Sequence, residues 1–461
     1  MKWLMWFYPG LKVKRWLFVS FIGFLLLGIS MSLLFDGEFF GYLENKLRHM
    51  SYGLPGSTLA VFALSVFLIG LVLHVFGFNA LMSSIFEALT PEMEARFVEV
   101  LYRRRSRERG PKIVVIGGGT GLSVLLRGLK EYTSNVTAIV TVADDGGSSG
   151  RLRDDLGIVA PGDVRNCMIA LADTEAEMEQ VLNYRFDQGH GLTGHNLGNL
   201  LLAGAARSAG AFDKAVALLS KVLAVRGRVL PSTLANVTLC AELMSGRIVR
   251  GESSITSAGE GIKRVFCDPP ECPPVPQALQ AIAEADAIIL GPGSLYTSVL
   301  PNLLVQGMGD ALRRSKAPKV YVCNVMTQPG ETDGFSAAQH VAVFDRHCGA
   351  GLIDQVIVNT EGVPRDLLLK YQRKGQRPVT VDYKNLERMQ CHVVRARLIN
   401  KENLVRHDPV RLAQTVMRLV LREKGLQSGV GFIDGLLFKR KLSRSKVTPG
   451  TTTNPKVFTQ E

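Results

Sequence analysis

The chain has 461 residues, long enough for one large α/β domain with additional segments. It carries 54 Lys and Arg against 41 Asp and Glu, a formal net charge of +13. The excess is concentrated at the ends: residues 1–110 hold 12 basic against 8 acidic side chains, and residues 439–461 hold 6 against 1. Nucleic-acid binding by the central part is therefore not expected.

Two apolar runs near the amino terminus, residues 16–35 and 58–78, contain no formally charged side chain. A bilayer core of about 30 Å needs roughly 20 helical residues, so each run is long enough to span it. A cleaved signal peptide is a poor alternative because the first run is too long and no small-residue cleavage motif follows. Residues 1–89 are therefore predicted to form a transmembrane hairpin.

Charges flanking the two runs predict the orientation of this hairpin. Basic side chains stand before the first run and after the second, whereas the intervening loop is mixed in charge. The positive-inside rule then places both termini and the main domain in the cytoplasm, on the inner face of the cell membrane. Residues 90–110 are predicted to be a basic juxtamembrane connector, and residues 439–461 a disordered basic tail.

Short, continuous apolar runs alternate with helical patterns after residue 111, which indicates a parallel sheet covered on both faces. The predicted strands are Ile113–Ile116, Val136–Val142, Ala287–Leu290 and Lys319–Val325. The predicted helices are Leu122–Glu131, Leu197–Ala211, Lys214–Val225 and Pro409–Lys424. Residues 111–438 are thus predicted to form a Rossmann-like α/β domain.

The turn after the first strand is rich in glycine and opens a helix, a combination that binds anions through backbone amides. Its candidate ligand-binding residues are Gly117, Gly118, Gly119, Thr120 and Gly121. The third glycine of an NAD fingerprint would fall at position 122, which is Leu, and no Walker Gly-Lys-Ser/Thr follows. The pattern favours a phosphate or nucleotide site without indicating NAD.

A second polar loop follows the strand Val136–Val142, where ligands of open parallel sheets bind. Its carboxylates suit ribose hydroxyls or a metal ion, and its glycines, hydroxyl and guanidinium suit a second phosphate. The candidate residues are Asp144, Asp145, Gly146, Gly147, Ser148 and Arg151. The alternative without a function is a solvated polar loop. The presence of Gly-rich loops after two successive strands disfavours it.

Further polar clusters lie beside the predicted strands and helices. They supply the remaining candidate ligand contacts: Asp163, Asn166, His195, Asn196, Asn199, Arg226, Arg228, Gly291, Gly293, Ser294 and Tyr296. His190 and His195 suit contact with a ligand better than a metal ion. Seven scattered Cys show no disulfide pattern, and Cys267 with Cys272 lacks two further metal ligands nearby. No Ser/His/Asp triad or activated Cys is recognisable, so no catalytic residue is predicted.

These motifs together resemble the CofD-like superfamily and, most closely, its YvcK-like branch, the gluconeogenesis factors. The matching stretches are Val115–Lys130, Thr141–Arg153, Pro161–Ala172, Gly194–Gly204, Arg226–Thr233 and Ala285–Leu304. The usual Gly-His-Ser-Phe-Gly-Asn motif stands here as Gly194–Asn199 with Asn196 in place of Ser. The two apolar runs are an addition to the shorter soluble members.

The resemblance implies a protein that binds a nucleotide sugar, UDP-N-acetylglucosamine or similar, and supports cell shape and envelope-precursor supply. The phosphate-binding loops without a recognisable acid, base or nucleophile favour a non-enzymatic regulator. The resemblance also implies an enzyme of envelope-precursor synthesis as a partner and a homo-oligomer. The sister branch transfers 2-phospho-L-lactate to a deazaflavin, and there Mg²⁺ would sit on Asp144 and Asp145. A third alternative, an NAD-dependent oxidoreductase, is disfavoured by Leu122.

Overall fold

The structure is a computed structural model that describes residues 13–35, 56–89, 107–400 and 405–428. The chain divides into two compact units, Met1–Arg104 and Arg105–Glu461. The predicted tail, the loop between the apolar runs and most of the predicted connector lie outside the described residues.

The first unit contains two long apolar helices, α1 (Val13–Phe35) and α2 (Gly56–Leu89). Among the described residues, one stretch, Ala60–Ser84 in α2, is long and apolar enough to cross a membrane. The apolar stretch of α1, Arg15–Met31, is shorter. Of the two predicted spans, the second, in α2, is therefore long enough to cross a membrane, and the apolar part of the first is shorter than that.

Small residues let α1 and α2 approach closely. A Cβ added to Gly23 would collide with the backbone of His74, and a Cβ on Gly70 would lie 3.0 Å from the Gly23 carbonyl oxygen. The Nδ1 atom of His74 lies 3.0 Å from the carbonyl oxygen of Ser20. Close backbone contact through glycine is typical of helix pairs that associate in lipid.

The second unit is an α/β domain, and its strands are β1 (Ile113–Gly117), β2 (Val136–Val140), β3 (Arg228–Pro231), β4 (Thr238–Leu243), β5 (Ile248–Arg250), β6 (Ile262–Asp268), β7 (Ala287–Leu290), β8 (Lys319–Val322), β9 (Gln355–Asn359), β10 (His392–Ala396), β11 (Ile399–Asn400) and β12 (Arg406–His407). Seven of them form one parallel sheet in the order β10-β9-β8-β7-β1-β2-β3. An antiparallel sheet has the order β5-β4-β6, and β11 pairs with β12.

The helices of this unit are α3 (Gly119–Leu129), α4 (Gly147–Leu156), α5 (Gly162–Leu171), α6 (Glu175–Leu182), α7 (Leu197–Ala209), α8 (Phe212–Val222), α9 (Glu252–Ser257), α10 (Pro276–Ala283), α11 (Leu300–Leu304), α12 (Met308–Arg314), α13 (Ala337–Cys348), α14 (Arg365–Gln372), α15 (Tyr383–Arg388) and α16 (Pro409–Ser428). A π-helical turn, Leu295–Val299, precedes α11. The central strands β1, β2 and β7 are buried along their whole length, as expected of a sheet covered on both faces.

The predicted Rossmann-like parallel sheet is thus confirmed, with small changes at the ends of its elements. The strand predicted at Val136–Val142 ends at Val140, and the one predicted at Lys319–Val325 ends at Val322. The first helix begins at Gly119, three residues before its predicted start, because the Gly-rich turn itself supplies the first helical turn. The seven cysteines are all free thiols.

Candidate functional site

The order of strands in the main sheet reverses at β1. The chain runs from β1 to β2 and β3 on one side, and continues at β7 on the other side. In open α/β sheets the crevice at such a switch point, beyond the carboxyl ends of the strands, is where ligands bind. The turns that follow β1 and β7 border this crevice.

These two turns touch each other through their backbones. A Cβ added to Gly121 would lie 2.7 Å from the carbonyl oxygen of Pro292, and one on Gly293 would lie 3.3 Å from the carbonyl oxygen of Gly118. Gly119 and Gly291 have φ angles of +66° and +78°, which side-chain-bearing residues rarely adopt. Glycine is therefore required here both for close approach and for backbone conformation.

Side chains from α11 and from the segment after β8 support the two turns. The Nδ2 atom of Asn302 donates to the carbonyl oxygen of Gly117 at 3.1 Å. Asn324 Nδ2 donates to the Gly293 carbonyl oxygen at 2.9 Å, and Gln328 Nε2 donates to Ser294 Oγ at 2.6 Å. One buried and two half-buried side-chain amides thus hold the backbone of these turns.

The two adjacent aspartates after β2 point to different partners. Asp145 Oδ1 accepts from the backbone nitrogen of Ser253 at 3.0 Å and from its hydroxyl at 2.8 Å, at the start of α9. Asp144 Oδ1 accepts from the backbone nitrogen of Gly146 at 2.9 Å. Asp145 therefore holds α9 against this loop, and Asp144 alone of the pair remains directed to the crevice.

Asp163, in the first turn of α5, lies against the Gly-rich turn, because a Cβ on Gly118 would collide with its carboxylate. Burial, and then the charge of Asp144, raise its pKa from 3.8 to about 7. A hydrogen bond from the Gly119 backbone and the charge of Arg165 partly oppose this rise in pKa. The carboxyl of Asp163 is thus shared between its neutral and ionised forms near pH 7.

The loop before α7 joins the loop before α4 through two serines. Ser148 Oγ lies 3.2 Å from His195 Nδ1 and accepts from the backbone nitrogen of Asn196 at 3.1 Å. Asn199 Nδ2 donates to Ser149 Oγ at 3.4 Å. Burial lowers the pKa of His195, and the charge of Arg151 lowers it further, which favours a neutral imidazole.

Arg165 connects this loop to α5. Its guanidinium donates to Asn199 Oδ1 at 2.7 Å and to Asn166 Oδ1 at 2.8 Å. Burial, and then the charge of Arg185, lower its pKa to about 10, so it still carries a full charge near neutral pH. The guanidinium of Arg151 donates to a different acceptor, the carbonyl oxygen of Thr193, at 3.1 Å.

Two glutamates that the sequence analysis did not select stand beside this group. Burial, and then the charges of Asp144, Asp163 and Glu331, raise the pKa of Glu252, at the start of α9, to about 9. Burial also raises the pKa of Glu331 to about 7. Glu331 is 3% exposed and accepts from Thr297 Oγ1 at 3.3 Å, while its Oε2 has no hydrogen-bond partner among the described residues.

Three predicted site residues are not brought to the crevice. Arg226 and Arg228 precede or begin β3, at the amino edge of the sheet, where Arg228 donates to Thr137 Oγ1 and Arg226 pairs with Asp173. Tyr296 lies in the π-helical turn with its ring fully buried. Its hydroxyl donates to the carbonyl oxygen of Ile262 at 3.5 Å. The prediction that Arg226, Arg228 and Tyr296 lie with the Gly-rich turns is therefore corrected.

The other predicted residues lie at or beside the carboxyl edge: Gly117, Gly118, Gly119, Thr120, Gly121, Asp144, Asp145, Gly146, Gly147, Ser148, Arg151, Asp163, Asn166, His195, Asn196, Asn199, Gly291, Gly293 and Ser294. Within the described ranges, no three His, Cys, Asp or Glu side chains are grouped as metal ligands. Backbone amides at this edge can bind phosphate oxygens. Hydroxyls and partly neutral carboxyls can bind the other polar groups of a ligand.

Comparison with known proteins identifies relatives of this chain. The family model described as 2-phospho-L-lactate transferase CofD matches residues 113–399. The gluconeogenesis factor of Bacillus subtilis is 51% identical over 311 residues, covering 67% of this chain and 98% of that protein. A gluconeogenesis-factor relative from Nostoc sp. is 46% identical over 428 residues, covering 90% of this chain and 92% of its own length.

A solved structure agrees with this assignment. The X-ray structure of protein BH3568 from Bacillus halodurans matches with a TM-score of 0.65 and 48% sequence identity. The match covers 68% of this chain and 100% of that chain. This chain therefore belongs to the CofD family and, within it, to the gluconeogenesis factors.

Proposed function

We propose that this chain is a membrane-anchored cytoplasmic regulator that binds a nucleotide sugar, UDP-N-acetylglucosamine or a close analogue. The observation that carries the proposal is the contact between the two Gly-rich turns at the switch point, where a Cβ on Gly121 would lie 2.7 Å from the Pro292 carbonyl oxygen. Two glycine turns side by side offer two sets of backbone amides, which suits a diphosphate.

The remaining groups suit the rest of such a ligand. Ser148, His195 and Asn196 form a neutral hydrogen-bonding patch, and the carboxyl of Asp163 is half-protonated near pH 7. Sugar and ribose hydroxyls bind well to groups of this kind, because each can donate and accept hydrogen bonds. The diphosphate is thereby assigned to the turns, and the sugar to the loops before α4, α5 and α7.

The anchor is assigned to α1 and α2 together. α2 meets the length criterion, and the close glycine contacts between the helices support a hairpin that enters and leaves the same side of a bilayer. A regulator of cell shape and envelope-precursor supply would be placed by this anchor at the membrane where such precursors are used. An enzyme of precursor synthesis and a second copy of the chain are the partners that we propose.

Equilibrium dialysis of the full chain in detergent micelles against a panel of nucleotides tests the ligand. The panel contains UDP-N-acetylglucosamine, UDP, UMP, ADP-glucose and NADH, with EDTA present in one arm and Mg²⁺ in the other. We expect UMP to be retained least, because it lacks the diphosphate that the two Gly-rich turns would bind. We expect UDP-N-acetylglucosamine to be retained above ADP-glucose and NADH, because the proposed site is specific for that nucleotide sugar. Equal retention of every nucleotide, or of none, would contradict the proposal.

A CofD-like transferase that attaches 2-phospho-L-lactate to a deazaflavin is the second candidate. The proximity of Asp144 and Asp163 favours it, because two carboxylates with substrate phosphates are a common setting for Mg²⁺. In that case Asp144 and Asp163, rather than Asp144 and Asp145, would hold Mg²⁺, which would neutralise phosphate charge. Incubation with Mg²⁺, nucleotide-activated phospholactate and a deazaflavin tests this activity, and the absence of coupled product would remove it.

A further inference from the structure

A cleft of about 760 Å³ lies at the opposite side of the domain from β3, between the outermost strand β10 and the helix α16. β10 pairs with β9 on one side and is the last strand of the sheet. The nucleotide site at β1 and β7 is separated from β10 by β8 and β9. The cleft therefore forms a second feature, independent of the proposed nucleotide-sugar site.

Arginine dominates the charge of this cleft. The lining side chains include Arg395 and Arg397 from β10 and its end, and Arg411, Arg418 and Arg422 from one face of α16. One carboxylate, that of Glu423, also lines the cleft, and it accepts a hydrogen bond from Gln355 at 3.2 Å. Arg411 is paired with Glu361, but the other four arginines have no carboxylate partner within the described residues. The guanidinium of Arg395 lies over the ring of Tyr383, 4.3 Å from its centroid, and keeps its charge without a carboxylate. Such an excess of positive charge favours a negatively charged occupant.

The backbone of β10 has a free edge beside these arginines. His392 N donates to the Asp354 carbonyl oxygen, and the Ala396 carbonyl oxygen accepts from Thr360 N, so these residues direct their polar backbone groups toward β9. Backbone groups alternate along a strand, so those of Val393 and Arg395 point away from β9. They have no backbone partner in the part of the chain that the structure describes.

An unpaired strand edge is a template for another strand, because only a polypeptide presents amide donors and carbonyl acceptors at the matching spacing. Nucleic acid and lipid headgroups would satisfy the arginines but leave the edge unpaired. The chain's own residues 439–461 are an unsuitable occupant, because they hold six basic residues against one acidic residue. Charge and backbone together therefore favour an acidic segment of a different protein.

We propose that an extended acidic segment of a partner protein adds to the main sheet as a strand beside β10, with its carboxylates on Arg395, Arg397, Arg418 and Arg422. Strand addition supplies affinity through the backbone groups of Val393 and Arg395. The arginines supply selectivity for acidic over neutral or basic segments.

Fluorescence anisotropy tests this docking surface with a labelled ten-residue peptide of alternating Glu and Thr and the full chain in detergent micelles. We expect saturable binding that weakens with added salt, and about tenfold or greater loss in the double variant Arg418→Glu/Arg422→Glu. The matched control, Lys370→Glu/Lys374→Glu, makes the same charge change at the same spacing elsewhere and should bind like the unchanged chain. Equal losses in both double variants would overturn the proposal.

Two N-methylated forms of the same peptide separate strand addition from general attraction of anions. One form carries methyl groups on the backbone nitrogens of all Glu residues, and the other on those of all Thr residues. Each form removes the N–H donors of one edge of the peptide and leaves its charge unchanged. We expect one form to lose binding and the other to keep it. Undiminished binding of both forms, or equally tight binding of an RNA oligonucleotide with the same charge, would overturn the proposal.

Discussion

Three carboxyl groups near the Gly-rich turns have pKa values far above those of free side chains. Burial raises the pKa of Asp163 and of Glu331 to about 7, and that of Glu252 to about 9. Like charges nearby add to the effect on Asp163 and Glu252, because each ionised group disfavours ionisation of the next. Such clusters often mark ligand sites, where they await a cation or donate hydrogen bonds while protonated.

The carboxyl of Glu252 should make the free energy of unfolding decrease as pH rises. Its carboxyl ionises above about pH 4.5 in the unfolded chain but only above about 9 in the folded one. The folded state thus binds more protons between these values, and the free energy of unfolding falls as pH rises through that window. We expect Glu252→Gln to flatten the fall of Tm between pH 5 and 9. The control is Glu284→Gln, which removes an exposed carboxylate that pairs with Lys112, and it should leave the change of Tm with pH as it is in the unchanged chain.

The same carboxyls should make ligand affinity depend on pH. Without Mg²⁺, UDP-N-acetylglucosamine should bind several-fold more tightly at pH 6 than at pH 8.5, because ionised Asp163 repels the diphosphate. Asp163→Asn should show a weaker dependence on pH over this range, with Glu331 still titrating near pH 7. Calorimetric titrations in EDTA at both pH values measure the effect, and tighter binding by the unchanged chain at pH 8.5 would contradict it.

Site residues near one strand end were predictable from the sequence, whereas those joined by distant segments were not. Gly-rich turns and the Asp144 loop follow apolar strands directly, so the rule for carboxyl ends of strands located them. Glu252 lies 108 positions beyond Asp144 and reaches it through the β5-β4-β6 sheet, for which no pattern had been recognised. The same rule could have excluded Arg228, because it begins its strand rather than following it.

At the scale of elements, one glycine sets the approach of α16 to α3. A Cβ on Gly128 would overlap the carbonyl oxygen of Pro409 and press on Ala413, at the start of α16. The two helices pack together over the buried side chains Leu125, Leu412 and Val416. Small residues at helix contacts let backbones approach without strain, so this position cannot accept a larger residue unless α16 moves.

Gly128→Ala should therefore destabilise the domain despite the better helix propensity of alanine. We expect a loss of about 1–3 kcal/mol from overpacking, seen as a lower midpoint in urea unfolding. Gly204→Ala in α7 is the matched control, because a Cβ there would meet nothing within 4 Å. That change should add up to about 1 kcal/mol of stability. Equal effects of the two substitutions would refute the packing argument.

Four of the seven strands of the main sheet, β1, β2, β7 and β8, were predictable because they are short and mostly apolar, and a Gly-rich turn follows β1 and β7. Ala287–Leu290 was predicted with its observed bounds. The antiparallel sheet was not predicted, because β5 is only three residues long with none buried, and β6 interrupts its apolar residues with two successive exposed charges, Lys263 and Arg264. The π-helical turn at Leu295–Val299 also carries no sequence signal, and it turns Tyr296 into the core instead of toward a ligand.

For the whole molecule, we expect residues 1–90 to hold the protein at the membrane. We expect the full chain to remain in the membrane pellet after a carbonate wash and to be released by detergent. A chain without residues 1–90 should move to the supernatant and retain its ligand affinity, because the relative BH3568 aligns over its whole length with 68% of this chain. Release of the full chain by carbonate alone would argue against the anchor.

The most direct measurement of the central claim is calorimetric titration of the full chain and its Gly121→Ala variant with UDP-N-acetylglucosamine. The added Cβ would lie 2.7 Å from the Pro292 carbonyl oxygen and push the two Gly-rich turns apart. We predict saturable heat with the unchanged chain and with Gly204→Ala, and at least about tenfold weaker binding with Gly121→Ala. No heat with the unchanged chain, or equal affinity for Gly121→Ala, would contradict a nucleotide-sugar site at these turns.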